Sequence, residues 1–205
     1  MRVLIATTNP DKLREIRGLL AGTPADLWSL ADLPAVPEPE ETGETFRDNA
    51  RLKALYYDRQ HAQPMLTVAE DSGLVIDGLD GEPGVRSARF LGPDATYAQR
   101  FEEILRRLGT ERSRRARFVC ALCAVRDGSI VFETEGTVEG EIASAPSGSA
   151  GFGYDPIFYF PPYGSTLAEV SEPEKLRIAH RGQAFREFRA WLLDMRTENK
   201  KSSVP

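Results

Sequence analysis

The chain of 205 residues is long enough to form one large domain or two closely joined lobes with their own hydrophobic core. Hydrophobic residues make up 41% of it and charged residues 28%, a balance that excludes a largely disordered or fibrous protein. The formal net charge of -5 argues against a general nucleic-acid-binding protein, so any anionic ligand must be bound in a local basic pocket.

The first predicted elements are a buried strand at residues 2–7 and a helix that begins at Asn9 and Pro10. Asparagine in the cap position, followed by proline in the first turn, is typical of a helix start. Apolar residues then recur at helical spacing. Residues 23–41 are rich in proline and acidic residues, which predicts an ordered loop or a hinge.

The middle of the chain predicts a helix followed by two short strands. Residues 45–60 again show apolar residues at helical spacing. Strands are predicted at residues 66–69 and 74–76, separated by four polar or small residues at 70–73. Glycines and prolines between residues 77 and 93 indicate a loop.

The second half predicts a helix, a hairpin and a final helix. Residues 96–108 form an amphipathic pattern that ends at Gly109. Asp127 and Gly128, between two apolar runs, predict a hairpin turn. The remaining segments are a glycine-rich loop at residues 136–153, a helix at residues 182–195 and a frayed tail at residues 197–205. We expect one α/β domain over residues 1–196, with a mixed β-sheet flanked by helices.

Neither a membrane segment nor a nucleic-acid surface is predicted. The longest apolar run, residues 118–125, is far shorter than the roughly 20 residues that span a bilayer. The N-terminal apolar run ends before Thr7, which is too short for a secretion signal. Arginines crowd residues 106–117, but no aromatic residue is interleaved among them, so we predict a solvated surface. The expected location is the cytoplasm.

The two cysteines, Cys120 and Cys123, lie in a strand-like apolar run. A spacing of three residues places them on opposite faces of a strand. With no second Cys pair or nearby His, neither a zinc site nor a redox motif has its partners. We predict that both are core residues outside the functional site.

The first candidate site lies where the first strand meets the first helix, at residues 7–12. Free N–H groups at the helix start, the hydroxyls of Thr7 and Thr8, and the Lys12 ammonium suit a phosphate. A helix cap at Asn9 with a surface lysine explains the same residues. No GxxxxGK[ST] motif occurs, so this is not a P-loop.

The second candidate is acidic and draws on two segments. Glu38, Glu40 and Glu41 lie in the proline-rich loop, and Glu70 and Asp71 follow a predicted strand. Carboxylates from two segments would suit Mg²⁺, which prefers oxygen ligands and keeps positions for waters and substrate phosphates. Solvated loop charges and a turn at Asp71 are the alternative.

Two further candidates lie near the C-terminus. In residues 151–156, glycines flank Phe152, so a flat ligand can approach the ring closely. Lys175 and the His180-Arg181 pair lie near the start of the last helix. Packing beneath a tight turn and a structural histidine are the alternatives.

These motifs stand together in the order found in the inosine triphosphate pyrophosphatase (Ham1-like) family, which the chain resembles over residues 3–193. The residues that carry the resemblance are Ala6-Thr7-Thr8-Asn9 with Lys12 and Glu15, Glu41-Thr42-Gly43 with Phe46, Asn49-Ala50 and Lys53-Ala54, Ala69-Glu70-Asp71-Ser72-Gly73-Leu74, Gly81-Glu82-Pro83-Gly84-Val85 with Ser87-Ala88-Arg89, Gly151-Phe152-Gly153-Tyr154-Asp155-Pro156, and His180-Arg181-Gly182.

The resemblance implies a Mg²⁺-dependent enzyme that hydrolyses deaminated purine nucleoside triphosphates, such as ITP, dITP and XTP, to the monophosphate and pyrophosphate. It also implies an elongated α/β protein with two lobes around a central nucleotide-binding cleft, and a homodimer. A nucleotide phosphatase, a pyrophosphatase of different base preference and a non-catalytic nucleotide-binding module are the competing hypotheses.

By the same resemblance, Asp71 is the general base and a metal ligand, and Glu41 or Glu40 is a further ligand. Lys12, Lys53 and Lys175 would neutralise the phosphates, while donors from His180 and Arg181 would pair with the 6-oxo group of the base. The residues implied to bind the nucleotide are Thr7, Thr8, Asn9, Lys12, Lys53, Ser72, Phe152, Gly153, Tyr154, Asp155, Lys175, His180 and Arg181.

The sequence departs from the family pattern at two positions. The family commonly has two aspartates before Ser-Gly, and here the first is Glu70, one methylene longer. The family commonly has serine before His-Arg-Gly, and here Ala179 lacks that hydroxyl. The role of Glu70 beside a metal is therefore open.

Overall fold

The computed structural model describes residues 1–61, 63–110 and 112–201. Within these residues a single mixed sheet has the strand order β2-β1-β3-β4-β5-β6-β7. The strands are β1 Arg2–Ile5, β2 Asp26–Ser29, β3 Leu66–Ile76, β4 Arg115–Arg126, β5 Ser129–Ile142, β6 Phe158–Phe160 and β7 Ser165–Thr166. The α-helices are α1 Pro10–Leu19, α2 Phe46–Asp58, α3 Tyr97–Leu108, α4 Glu172–Ile178 and α5 His180–Lys201.

The sheet combines a parallel part with an antiparallel part. Strand β1 pairs in parallel with both β2 and β3, while β3, β4 and β5 pair antiparallel. Asp127 and Gly128 have φ angles of 52° and 74°, as a tight two-residue hairpin turn requires. The predicted mixed α/β architecture and its hairpin are confirmed.

Helices cover both faces of the sheet. Helices α1 and α5 pack Ile16 and Phe185 on the face that carries Cys120, and α2 packs Ala54 on the face that carries Cys123. Both thiols are buried and free, so the prediction of two core cysteines on opposite faces is confirmed. A third apolar cluster joins α3 to β4, β5 and β6. The division into two lobes stays a prediction.

The prediction of two short strands at residues 66–69 and 74–76 is wrong, because β3 runs without a break from Leu66 to Ile76. Glu70 and Asp71 lie inside this strand, opposite Leu122 and Ala121 of β4. Burying charged residues in a strand usually destabilises the fold unless the charges are paired. Here lysines neutralise both carboxylates, which removes the reason for the strand to end.

The loops predicted at residues 23–41 and 136–153 are each partly strand. The first contains β2, a short edge strand. In the second, β5 continues to Ile142, although Gly136 and Gly140 lie within it. A Cβ at Gly136 would lie 2.8 Å from Ala184 N, and one at Gly140 2.6 Å from Tyr159 O. The glycines therefore permit close packing rather than a turn.

The C-terminal helices also differ from the prediction. Helix α5 begins at His180 and continues to Lys201, beyond the predicted bounds of 182–195, and α4 precedes it. Residues 202–205 of the predicted tail lie outside the described residues. Among the described helices, none is long and apolar enough to cross a membrane.

Candidate functional site

The start of α1 is built as the sequence predicts. Asn9 caps the helix, and its Oδ1 accepts hydrogen bonds from the N–H groups of Asp11 at 2.9 Å and Lys12 at 3.1 Å. Thr7 Oγ1 accepts from Asn9 N at 3.2 Å. Lys12, in the first turn of α1, reaches across to β3, where its Nζ lies 2.7 Å from Glu70 Oε1.

Glu70 is buried within a shell of hydrogen-bond donors and cations. Besides Lys12, Arg181 Nη2 lies 3.5 Å from its Oε1, and the Cys120 thiol donates to its Oε2 at 3.3 Å. Burial alone would raise the pKa of Glu70, but Lys12, Arg181 and Lys53 hold it well below its ordinary value. Glu70 is thus ionised and ion-paired, although its buried Oε1 accepts no hydrogen bond of good geometry from the described residues.

Asp71 and Glu41 share one lysine. Lys53 Nζ donates to Asp71 Oδ1 and to Glu41 Oε1, each at 2.9 Å, and Asn49 Nδ2 donates to Asp71 Oδ2 at 3.1 Å. Burial raises the pKa of Asp71 despite the opposing charge of Lys53. The pKa of Glu41 is lowered, because Lys53 and Arg89 outweigh the effect of its burial.

The C-terminal candidates converge on Glu15 of α1. Lys175 Nζ donates to Glu15 Oε1 at 3.0 Å and to Asp155 Oδ2 at 2.6 Å, and it lies 4.6 Å from the Phe152 ring centroid. Arg181 Nη1 donates to Glu15 Oε2 at 2.7 Å. Burial raises the pKa of Asp155, although the Lys175 ammonium opposes it. Glu15 therefore fixes two cations that come from the other end of the chain.

His180 and Arg181 each keep a buried nitrogen without a partner among the described residues, Nδ1 of His180 and Nε of Arg181. The imidazole stacks on Phe118 with the ring centroids 4.9 Å apart. Burial and the nearby charges of Arg181 and Lys175 lower the pKa of His180 well below its usual value, so it is neutral at pH 7. Arg181 Nη2 also donates to Ser72 Oγ at 3.0 Å.

Two adjoining pockets collect these groups, and both include Asn9 and Lys12 in their walls. The aromatic pocket is lined by Asn9, Lys12, Ser72, Gly73, Ser87, Ala88, Tyr97, Phe118, Phe152, Gly153, Tyr154, Asp155, Lys175, His180 and Arg181. The strand-end pocket is lined by Ala6, Thr7, Thr8, Asn9, Lys12, Glu38, Pro39, Glu41, Lys53, Tyr57, Glu70, Ala88 and Arg89.

Nearly all predicted site residues line these pockets or contact a residue that does. Asp71 contacts Lys53 of the strand-end pocket. Lys175 lies in the aromatic pocket and not in the strand-end pocket. Tyr154 is buried, and its hydroxyl donates to Ser87 O at 2.8 Å. Glu40 is exposed and lines neither pocket, whereas its neighbour Glu41 lines the strand-end pocket.

Sequence reasoning assigned no role to Glu15 and Asn49, although both stand in the family motifs, and it placed Cys120 outside the site. The signal for Glu15 was a charged residue next to Ile16 on the buried face of α1. Asn49 is fully buried in α2, where an amide needs a partner. Cys120 was predicted to lie outside the site, and its thiol instead contacts Glu70. Its register opposite Ser72 could be read only once β3 and β4 were paired.

Comparison with known proteins gives concordant matches. The Ham1 family profile matches residues 3–191. A dITP/XTP pyrophosphatase from an Exiguobacterium species is 44% identical over 193 residues, covering 94% of this chain and 97% of that protein. One from Geobacillus kaustophilus is 45% identical and covers 89% of each. The structure of a HAM1 protein from Coxiella burnetii has a TM-score of 0.86 at 37% identity, covering 95% of this chain and 99% of that one.

Proposed function

The chain belongs to the Ham1 family, and from that premise we propose that it is a Mg²⁺-dependent pyrophosphohydrolase of deaminated purine nucleoside triphosphates. Its substrates are ITP, dITP and XTP, and its products are the nucleoside monophosphate and pyrophosphate. The reaction removes deaminated purines from the nucleotide pool. The curated relatives at 44% and 45% identity are both named dITP/XTP pyrophosphatases.

The observation that carries the proposal is the junction of the two pockets. The aromatic pocket offers Phe152 and the Phe118–His180 stack, which suit a flat purine base. The strand-end pocket offers hydroxyls and lysines at a helix start, which suit phosphates. Because both pockets share Asn9 and Lys12, one nucleoside triphosphate can occupy them together.

Mg²⁺ fits the carboxylates beside the strand-end pocket. Lys53 bridges Asp71 Oδ1 and Glu41 Oε1 at 2.9 Å each, so the two carboxylates lie close enough together to share a metal ion. The described residues contain no group of three acidic, His or Cys side chains that could hold a metal alone. Phosphate oxygens and waters would complete the shell, as is usual for Mg²⁺. When bound, the ion would neutralise phosphate charge and acidify water.

Asp71 is the proposed general base. Its burial raises the pKa of the carboxyl, which makes the carboxylate a better proton acceptor than an exposed one. Asn49 and Lys53 each hold one of its oxygens, which fixes the carboxylate plane. From this position Asp71 would orient and deprotonate the water that attacks the α-phosphorus, and pyrophosphate would leave without a covalent intermediate.

The lysines divide between the two ends of the substrate. Lys12 and Lys53 line the strand-end pocket and would neutralise the charge that develops on the leaving pyrophosphate. Lys175 is bound by Glu15 and Asp155 beside Phe152, so we assign it to the base and not to the phosphates. Glu41, rather than the exposed Glu40, is the proposed second metal ligand.

Base selection rests on hydrogen-bond chemistry. Hypoxanthine and xanthine present an acceptor at position 6, where adenine presents an amino donor. His180 and Arg181 line the aromatic pocket, and their unpartnered nitrogens, with the His180 proton on Nδ1, are the proposed donors to that acceptor. An adenine amino group would leave these buried donors unpaired, which costs far more than a lost apolar contact.

Product analysis tests the proposal. The purified protein is incubated with ITP, XTP, ATP, GTP and dUTP, with Mg²⁺ or with excess chelator, and the products are separated by chromatography. Equal amounts of IMP and pyrophosphate from ITP, with slow turnover of ATP, are expected. Inorganic phosphate alone would indicate a phosphatase, a preference for dUTP would indicate a pyrimidine enzyme, and no product would indicate a binding module.

A cytoplasmic homodimer completes the proposal, as the family resemblance implies. Light scattering during size-exclusion chromatography measures the mass of the assembly. A mass of twice the chain supports the homodimer, and a mass of one chain contradicts it.

A further inference from the structure

The strand-end pocket contains a third basic residue, besides Lys12 and Lys53, that the proposed mechanism does not use. Arg89 ends a short 3-10 helix, Gly84–Arg89, and lines this pocket. Its Nη2 donates to Glu41 Oε2 at 2.8 Å, while Lys53 donates to the other oxygen of the same carboxylate. Both oxygens of Glu41 are therefore paired with cations of the protein.

The two cations on Glu41 differ in how firmly they are held. The Lys53 side chain is 13% exposed and also bonds Asp71. The Arg89 side chain is 48% exposed, and Glu41 is the one ion-pair partner recorded for it among the described residues. Solvent-exposed ion pairs contribute little and exchange readily. Arg89 is thus the partner of Glu41 that can leave.

The charge distribution in the strand-end pocket favours the release of Arg89 from Glu41. Lys12 is paired with Glu70, and Lys53 is shared between Asp71 and Glu41, so both lysines have fixed acidic partners. A cation bound by Glu41, as under the proposed function, would take over the carboxylate that holds Arg89. The released guanidinium remains at the wall of the pocket that receives the phosphates. Its planar pair of donors matches two phosphate oxygens.

We propose that Arg89, which pairs with Glu41, is a phosphate-binding residue that transfers to the substrate's terminal phosphates when Mg²⁺ and substrate bind. This exchange couples metal binding to capture of the phosphates. This inference rests on the proposed function, since it needs Glu41 at the metal.

The test uses Arg89→Ala and Arg89→Lys, with Arg86→Ala as the matched control. Arg86 lies in the same 3-10 helix, is exposed and lines neither pocket, so Arg86→Ala removes the same charge from outside the proposed site. Binding of inorganic pyrophosphate is measured by calorimetry, in Mg²⁺ and in chelator. We expect Arg89→Ala to lower the affinity in Mg²⁺ by about 10-fold or more, the scale of a lost charge-assisted bidentate contact. Arg89→Lys keeps a single point charge and recovers part of the affinity.

The Mg²⁺ dependence separates an exchanging arginine from a fixed one. In the wild type, bound Mg²⁺ would neutralise pyrophosphate and also release Arg89 to it. Mg²⁺ should therefore raise the affinity for pyrophosphate more in the wild type than in Arg89→Ala. An equal effect of Mg²⁺ in the two proteins overturns the exchange. Wild-type affinity in Arg89→Ala, or an equal loss in Arg86→Ala, overturns the phosphate contact.

Steady-state kinetics with ITP distinguish a failure of this inference from a failure of the proposed function. If the wild type does not convert ITP to IMP and pyrophosphate, the proposed function fails. If it does, and Arg89→Ala retains wild-type kcat/KM for ITP, only the role of Arg89 fails. Since Arg89 is half-exposed on the surface, the variant should fold, and its thermal unfolding is recorded alongside.

Discussion

At the scale of single residues, the proposed mechanism depends most on Asp71 as the general base. Asp71→Asn keeps the size of the side chain and its contact with Asn49, but removes the charge that Lys53 neutralises. Turnover of ITP should fall by at least about 100-fold, the scale of lost acid/base catalysis. Steady-state kinetics and a thermal unfolding scan measure both effects. Near-normal turnover would move the base elsewhere, with Glu70 as the first residue to examine.

Arg181 links the proposed base recognition to the buried charge network. Arg181→Ala removes the Nε donor, so the preference for ITP over ATP in kcat/KM should narrow by about 10-fold or more. It also leaves Glu15 with one cation fewer, and the free energy of unfolding should fall by about 3 kcal/mol or more. Competition between ITP and ATP on folded protein measures the ratio. An unchanged ratio would assign Arg181 to the phosphates and leave base selection to His180.

His180 predicts a pH dependence of stability. Its pKa in the folded protein lies below its ordinary value of 6.5, so below pH 6.5 the unfolded chain binds a proton that the folded chain does not. The free energy of unfolding should therefore fall as the pH is lowered from 6.5, by up to about 1.4 kcal/mol per pH unit. Urea unfolding between pH 7 and pH 5 tests this against His180→Asn. An identical slope in the variant would contradict the assignment.

At the scale of elements, Gly136 sets how closely α5 approaches β5. A Cβ on it would collide with His180 O and lie 2.8 Å from Ala184 N, within the first turns of α5. Gly136→Ala should therefore displace His180 and Arg181, lower kcat/KM for ITP and destabilise the fold by about 1–3 kcal/mol. Gly18→Ala is the control, since nothing lies within 4 Å of its Cβ position. The control should be neutral or slightly stabilising.

Local sequence signals predicted some elements and misread others for identifiable reasons. The cap at Asn9 and the Asp127-Gly128 turn depend on a few adjacent residues, and both were predicted. The continuity of β3 depends on lysines from α1 and α2 that neutralise Glu70 and Asp71. Because those lysines are distant in sequence, the acidic residues resembled a turn.

At the scale of the whole molecule, contacts between residues that are distant in sequence build the candidate site. The motif resemblance predicted most of its residues, but Glu15 binds Lys175 and Arg181 across more than 150 positions of sequence. The assignment of Lys175 to the base end likewise required the position of Phe152 beside it. Sequence motifs thus named the candidate residues, and the fold decides which of them lie side by side.

The ion pairs of Asp71 and Glu41 also predict how the whole molecule responds to metal removal. Lys53 and Arg89 already neutralise Asp71 and Glu41, so the fold does not need a cation between these carboxylates. Excess chelator should abolish turnover of ITP, and added Mg²⁺ should restore it, because the substrate's phosphates require the ion. The unfolding midpoint without nucleotide should shift by less than about 2 °C. Calorimetry and a turnover assay on the same samples measure both, and a large loss of stability in chelator would instead indicate a structural metal.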